Sequence, residues 1–189
     1  AIQIDAGANV QSIVNNGSIL ASASGGVANV TAIQDDSGTL TSIINTRSIQ
    51  ANITQNTAGD AITGSLTAID VSANTTGVTF VQKGIPSTPT ASDPDSDGDG
   101  VTNANEPNLY GDIKLGSGAD LIDVQNGYVQ GAISFGAGAD RLDISGGAEV
   151  RATLSDSDGD LAINIADGTL DSRGSAQLNL SSLNVADNG

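Results

Sequence analysis

Cysteine, histidine, methionine and tryptophan are all absent from the 189 residues. Without cysteine there is no disulfide framework and no thiolate metal site. Without histidine there is no imidazole to act as base, nucleophile partner or ligand. Aromatic side chains are limited to Phe80, Phe135, Tyr110 and Tyr128. A globular core normally leans on such bulky groups, so any core here must be built from Ile, Leu, Val and Ala. Basic residues are also scarce, six against 22 acidic ones, for a net charge of −16. That balance argues against nucleic acid and anionic membrane surfaces as partners, because both attract a basic patch. It suits a soluble surface protein or one that binds cations. No apolar run approaches the ~18 residues of a spanning helix, and no secretory leader pattern is visible. The chain opens at Ala1 in mid-pattern, so a processed protein or a piece of a longer one is expected.

What is present is repetition. GDIKLGSGADLIDVQNGYVQ, from Gly111, is followed by GAISFGAGADRLDISGGAEVR, ending at Arg151. Twenty residues separate Ile113 from Ile133, Leu115 from Phe135, Gly116 from Gly136 and Asp120 from Asp140. A unit this short cannot bury an apolar face alone, so copies must stack. Within each copy the apolar period is two: Ile113 and Leu115, Ile122 and Val124, Ile133 and Phe135, Leu142 and Ile144. Alternation of that kind puts these residues on one face of a strand. Short strands, glycine corners and a fixed period describe an all-β parallel β-helix with one coil per copy. A degraded copy follows over 152–173, and Leu178, Leu180, Leu183 and Val185 suggest one more coil within LNLSSLNVADNG.

A longer repeat fills the first part of the chain. SIVNNGSILA (Ser12 to Ala21) returns thirty residues later as SIINTRSIQA (Ser42 to Ala51), and AIQIDAG at Ala1 resembles AIQDDSG at Ala32. Each unit has room for about three short strands. Asn15 over Asn45 predicts a two-rung asparagine ladder, with amides bonded from coil to coil. A third, diverged unit spans Gly59 to Gly84. The organisation read from this is three parts: coils of about thirty residues over 1–85, an irregular segment over 86–107, and coils of about twenty residues over 108–189. All four prolines lie in the middle part, which marks it as an excursion rather than a coil.

The excursion contains DSDGDGVTNANE, Asp95 to Glu106. Asp95, Asp97 and Asp99 occupy positions 1, 3 and 5, Gly100 position 6 and Glu106 position 12, the oxygen-ligand spacing of an EF-hand-type calcium loop. Val101 would offer its backbone carbonyl and Asn103 a water-mediated contact. Acidic groups this close repel one another unless neutralised, so the expectation is a bound calcium ion; a solvated acidic linker is the alternative. Pro94 before the motif and Pro107 after it exclude flanking helices. The G-x-G-x-D turns at Asp120 and Asp140 read as structural turns, held by local side-chain bonds, with an ion site as the alternative. DSDGD at Asp156 to Asp160 lacks the position-6 glycine and reads as an exposed acidic loop.

These residues carry two resemblances. LGSGADLIDVQNGYVQGAI and FGAGADRLDISGGAEVRAT, with SIVNNGSILASAS and TAIQDDSGTLTSI before them, resemble the passenger β-helices of bacterial autotransporters. DSDGDGVTNANE resembles the calcium loops of thrombospondin type 3 and related bacterial repeats. The first resemblance implies a right-handed parallel β-helix displayed outside the cell, as a structural or adhesive module without enzymatic activity. Its implied partners are calcium and a host or surface ligand, or further copies of itself. A self-assembling surface-layer or filament subunit is the first alternative and a β-helix carbohydrate-active enzyme the second. Against the enzyme stand the missing histidine and the six scattered basic residues.

Overall fold

The computed structural model describes residues 1–57, 59, 61–174 and 177–186. It is all-β among those residues, apart from one 3-10 turn over Asn103–Asn105. The strands fall into successive turns of chain. The first holds β1 (Ile2–Ile4), β2 (Ser12–Asn15) and β3 (Ser18–Ser24); the second β4 (Val30–Asp35), β5 (Ser42–Asn45) and β6 (Ser48–Thr54). The third holds β7 (Leu66–Asp70), β8 (Thr79–Gln82) and, after the excursion, β9 (Asn108–Tyr110). Then come β10 (Asp112–Lys114), β11 (Leu121–Val124), β12 (Tyr128–Ser134), β13 (Arg141–Ile144), β14 (Ala148–Ser155), β15 (Leu161–Ile165), β16 (Gly168–Asp171) and β17 (Leu180–Val185).

Every pairing between these strands is parallel, and each joins one turn to the next. A ten-stranded sheet and a seven-stranded sheet result. The larger sheet is bent: the first half of β12 pairs with β9 and its second half with β10, so this strand belongs to two sides of the stack. The arrangement is compatible with a parallel β-helix.

Register lines up the inward side chains in three columns. One runs Ile2, Ile33, Ile69, Ile113, Ile133, Leu154. The second runs Ile13, Ile43, Phe80, Ile122, Leu142, Ile163, Leu183. The third runs Ile19, Ile49, Leu109, Val129, Val150, Leu170. The inner rungs are fully buried, and Ile113, Leu115, Ile122, Val124, Ile133, Phe135, Leu142 and Ile144 all lie in the core as their alternation predicts. Stacked, mostly aliphatic columns thus build the core around two buried aromatics, Phe80 and Phe135, each buried Leu or Ile contributing about 1.5–3 kcal/mol of transfer free energy. The end rungs are less covered: Ile2, Ile13 and Ile19 are half-buried, and Leu183 and Val185 are exposed. The positions Asp187 to Gly189, read with the last coil, lie outside the described residues.

Glycine corners allow the tight stacking. Gly136 has φ +82°, and a Cβ there would sit 1.8 Å from the Gly116 carbonyl oxygen of the turn below. No larger residue fits that approach.

The asparagine ladder forms and extends one rung further than its sequence signal. Asn15 Nδ2 donates to Asn45 Oδ1 at 2.8 Å, and Asn45 Nδ2 donates to Gln82 Oε1 at 3.0 Å. Gln82 Nε2 then donates to the carbonyls of Asn126 and Tyr128, at 3.2 Å each. These buried amides satisfy one another and the corner backbone, which is the condition under which a polar column is tolerated inside.

Two carboxylates depart from the expectation of local turns. Thr79 and Leu121 pair, as do Leu121 and Arg141, so the residues just before them stack as Val78, Asp120, Asp140. Asp120 and Asp140 are 2 % and 1 % exposed. Their bonds run between turns rather than locally: Val78 N–H donates to Asp120 Oδ1 at 2.6 Å, and Asp120 N–H to Asp140 Oδ1 at 2.8 Å. The second oxygen of each has no hydrogen-bond partner. Asp156 is half-buried, and Asp158 and Asp160 are exposed, as an acidic surface loop requires.

Candidate metal centre

The excursion leaves the stack after β8 and returns at β9. It is tied together by its own polar bonds. Ser87 N–H donates to the Gly100 carbonyl at 3.0 Å, Thr102 N–H to Ser87 Oγ at 2.8 Å, and Asn103 N–H to the Pro94 carbonyl at 2.9 Å. Val101 turns inward, 4 % exposed, against the open face of Gly84; a Cβ on Gly84 would lie 2.4 Å from Val101 Cγ2. This one apolar anchor seats the loop on the coils.

Around that anchor the acidic residues converge. Asp95, Asp97 and Asp99 each place a carboxylate oxygen within 4.8 Å of the other two. Asp95 Oδ1 accepts from Gly98 N–H at 2.7 Å and its Oδ2 from Gly100 N–H at 3.0 Å, while Asp99 Oδ1 accepts from Val101 N–H at 2.8 Å. Glycine at 98 and 100, both at positive φ, makes this close wrapping accessible. Asp97 is the most exposed of the three and lies against the coil corner at Gly147, where a Cβ would meet its Oδ2 at 2.9 Å.

The titration of the loop registers the crowding. Burial pushes the Asp99 carboxyl up, and the charges of Asp97 and Asp95 push it the same way. Glu106 is raised by burial and then by Asp97, Asp99 and Asp95. Asp95 goes the other way: burial acts to raise it, but the Gly100 and Gly98 N–H groups outweigh this and leave it lowered. Asp93, lowered by its Thr102 and Ala104 bonds, caps the 3-10 turn and stands apart. Among the ion pairs of the described residues, none involves Asp95, Asp97, Asp99 or Glu106.

The five residues expected at the site are therefore not equally placed. Asp95, Asp97 and Asp99 are together. Glu106 feels their charge but borders a separate hollow with Arg47, Ala104 and Asn108. Val101 contributes packing through its buried side chain. Asn103 is spent within the loop, accepting from Ser96 N–H at 3.0 Å and donating to Ser96 Oγ at 2.8 Å. Sequence reasoning missed Asn126, whose Nδ2 donates to Asp99 Oδ2 from the β11–β12 corner. It repeats nowhere in the twenty-residue unit, so periodicity carried no signal for it.

A second surface feature lies on the outer side of β6, β9 and β12. A hollow of about 490 Å³ is lined by Gln50, Asn52, Leu66, Tyr110, Asp112 and Gln130, among others. Tyr110, in its lining, meets Tyr128 at 5.6 Å between ring centres, and Arg151 lies 5.5 Å over the Tyr128 ring on the neighbouring surface. Both tyrosines of the chain are thus on one outer face. No helix among the described residues is long and apolar enough to cross a membrane.

No family model, no curated protein and no solved structure matches this chain.

Proposed function

We propose that the chain is a structural and adhesive module of a bacterial surface protein: a right-handed parallel β-helix whose 86–107 excursion is held by calcium. The observation that carries this reading is the convergence of Asp95, Asp97 and Asp99 to within 4.8 Å. Three carboxylates at the loop spacing of an oxygen-ligand site offer hard donors to a hard cation, and calcium takes six to eight of them at ~2.3–2.6 Å. Asp95, Asp97 and Asp99 would hold the ion, with the Val101 carbonyl and water beside them. Glu106 would reach it by a side-chain movement that calcium's attraction drives. The ion supplies the positive charge that lets the loop stay folded; the coils supply a rigid base. The autotransporter resemblance, the acidic surface and the stacked-coil architecture support the surface role, and the tyrosine-lined hollow offers a face for an adhesive contact.

The reading is tested by calorimetric titration of chelator-treated protein with calcium chloride, beside an Asp97→Ala/Glu106→Gln double variant. The expected result is saturable uptake by the wild type that the variant loses. Equal uptake by both would move the ion elsewhere, with Asp120 and Asp140 next in line.

A self-assembling subunit is the second reading. It is favoured by apolar side chains that the coils leave exposed, Val14, Leu20 and Val27 among them, which contact with a second copy would cover. Light scattering and negative-stain microscopy with and without calcium separate the two: ordered arrays on calcium addition favour the subunit, monodisperse particles the module.

A further inference from the structure

The acidic loop meets the coil stack at one polar side chain. Asn126 sits in the corner between β11 and β12 and is 4 % exposed. With Asp99, Val101, Gly84 and Gly146 it lines a cavity of about 190 Å³ beneath the loop. Its Nδ2 is in close contact with Asp99 Oδ2, and its Oδ1 has no hydrogen-bond partner. The Asn126 backbone is fixed from the opposite side, because the buried amide column ends on its carbonyl through Gln82. An amide oxygen buried without a partner is destabilising. Here it occurs at the point where the coils touch three clustered carboxylates.

We propose that Asn126 is a calcium ligand contributed by the coil stack, so that the ion bridges the excursion to the β11–β12 corner. The proposal rests on the calcium reading above. Asparagine carbonyl oxygens are ordinary calcium ligands, and the loop's three carboxylates leave coordination positions to fill. The two ends of the amide are nearly the same shape, so a half-turn about the terminal bond exchanges nitrogen for oxygen within the same volume. That turn faces the amide oxygen towards Asp99 Oδ2, an oxygen pair that only a cation between the two would favour. The consequence is mechanical. An ion held only by the excursion orders only the excursion; one held also by Asn126 ties it to the corner on which the amide column ends.

The competing role is that of a simple donor to Asp99, and two substitutions distinguish them. Calcium chloride is titrated calorimetrically into the chelator-treated full chain, as wild type, Asn126→Ala and Asn126→Asp. Loss of a ligand should weaken binding about tenfold or more in Asn126→Ala, as for other partners in metal sites. Asn126→Asp, which keeps an oxygen, should bind within a few-fold of wild type. A donor replaced by a carboxylate would instead repel Asp99 and leave Asn126→Asp no better than Asn126→Ala. A measurement on the wild type is independent of variant folding: the carbon-13 resonance of the Asn126 carboxamide should move on calcium addition. An unmoved resonance, an Asn126→Ala variant that binds as tightly as wild type, or an Asn126→Asp variant no tighter than Asn126→Ala overturns the proposal. Wild-type protein that takes up no calcium overturns the calcium reading itself; uptake that Asn126→Ala leaves unchanged overturns only the role of Asn126.

Discussion

Replacing Asp140 by asparagine should stabilise the protein above pH 6. Asp140 is 1 % exposed, has one oxygen without a partner and stacks beside Asp120. Burial pushes its carboxyl up to about 6, and the charges of Asp120, Asp156 and Asp158 add to the rise. Asp120 is raised by burial in the same way. A folded-state value above the unfolded one means that the native state holds the proton longer. Stability from this group is therefore full below pH ~4 and is lost as pH rises towards 6. A shift of about two units corresponds to about 3 kcal/mol at most. In Asp140→Asn the amide oxygen still accepts from Asp120 N–H, but its new N–H₂ group lacks an assigned acceptor, which returns about 1–2 kcal/mol. A net gain of about 1–2 kcal/mol remains at pH 7.5, or ~2–8 °C in melting temperature. The assay is urea unfolding of wild type and variant in chelator at half-unit steps from pH 4 to 8. The difference between the two curves isolates this group from the other carboxylates. A difference that does not change between pH 4 and 7 would refute the reasoning.

Two further substitutions probe the stack itself. Leu142→Asp puts a charge between Ile122 and Ile163 in a fully buried column and should cost more than about 4 kcal/mol, seen as loss of the cooperative thermal transition. Asn45→Ala removes the middle rung of the amide column, leaving Gln82 Oε1 without its donor and Asn15 Nδ2 with the Ser48 carbonyl alone; chemical unfolding should show a loss of about 1–3 kcal/mol.

The sequence carried the coils because their signals are local and periodic. Ile113 over Ile133, Ile122 over Leu142 and Ser12 over Ser42 are the pairs that the repeats align, and they are the pairs that hydrogen-bond in register. Asn15 over Asn45 was legible for the same reason. Gln82 was not, because the third unit had diverged and a longer amide stands where asparagine stood. The burial of Asp120 and Asp140 was hidden by chemistry: aspartate closing G-x-G-x-D reads as a turn, and nothing local reveals that the position continues a column shared with Val78. In the acidic loop, spacing sufficed to bring Asp95, Asp97 and Asp99 together. The seating of Val101 on Gly84 and the meeting of Asp99 with Asn126 join segments with no common period, so pattern alone could not supply them.

The proposed calcium ion would order a loop laid across a self-standing stack. Amide hydrogen exchange of the chelated and calcium-loaded protein tests it most directly. Ligand at a hundredfold excess over its dissociation constant stabilises the bound form by ~2.7 kcal/mol, so exchange governed by loop opening should slow about a hundredfold over residues 93–106. The buried strands β5, β11 and β13 should exchange at the same slow rate in both states. Unchanged exchange over 93–106, or coils that lose protection as a whole when calcium is removed, would contradict it.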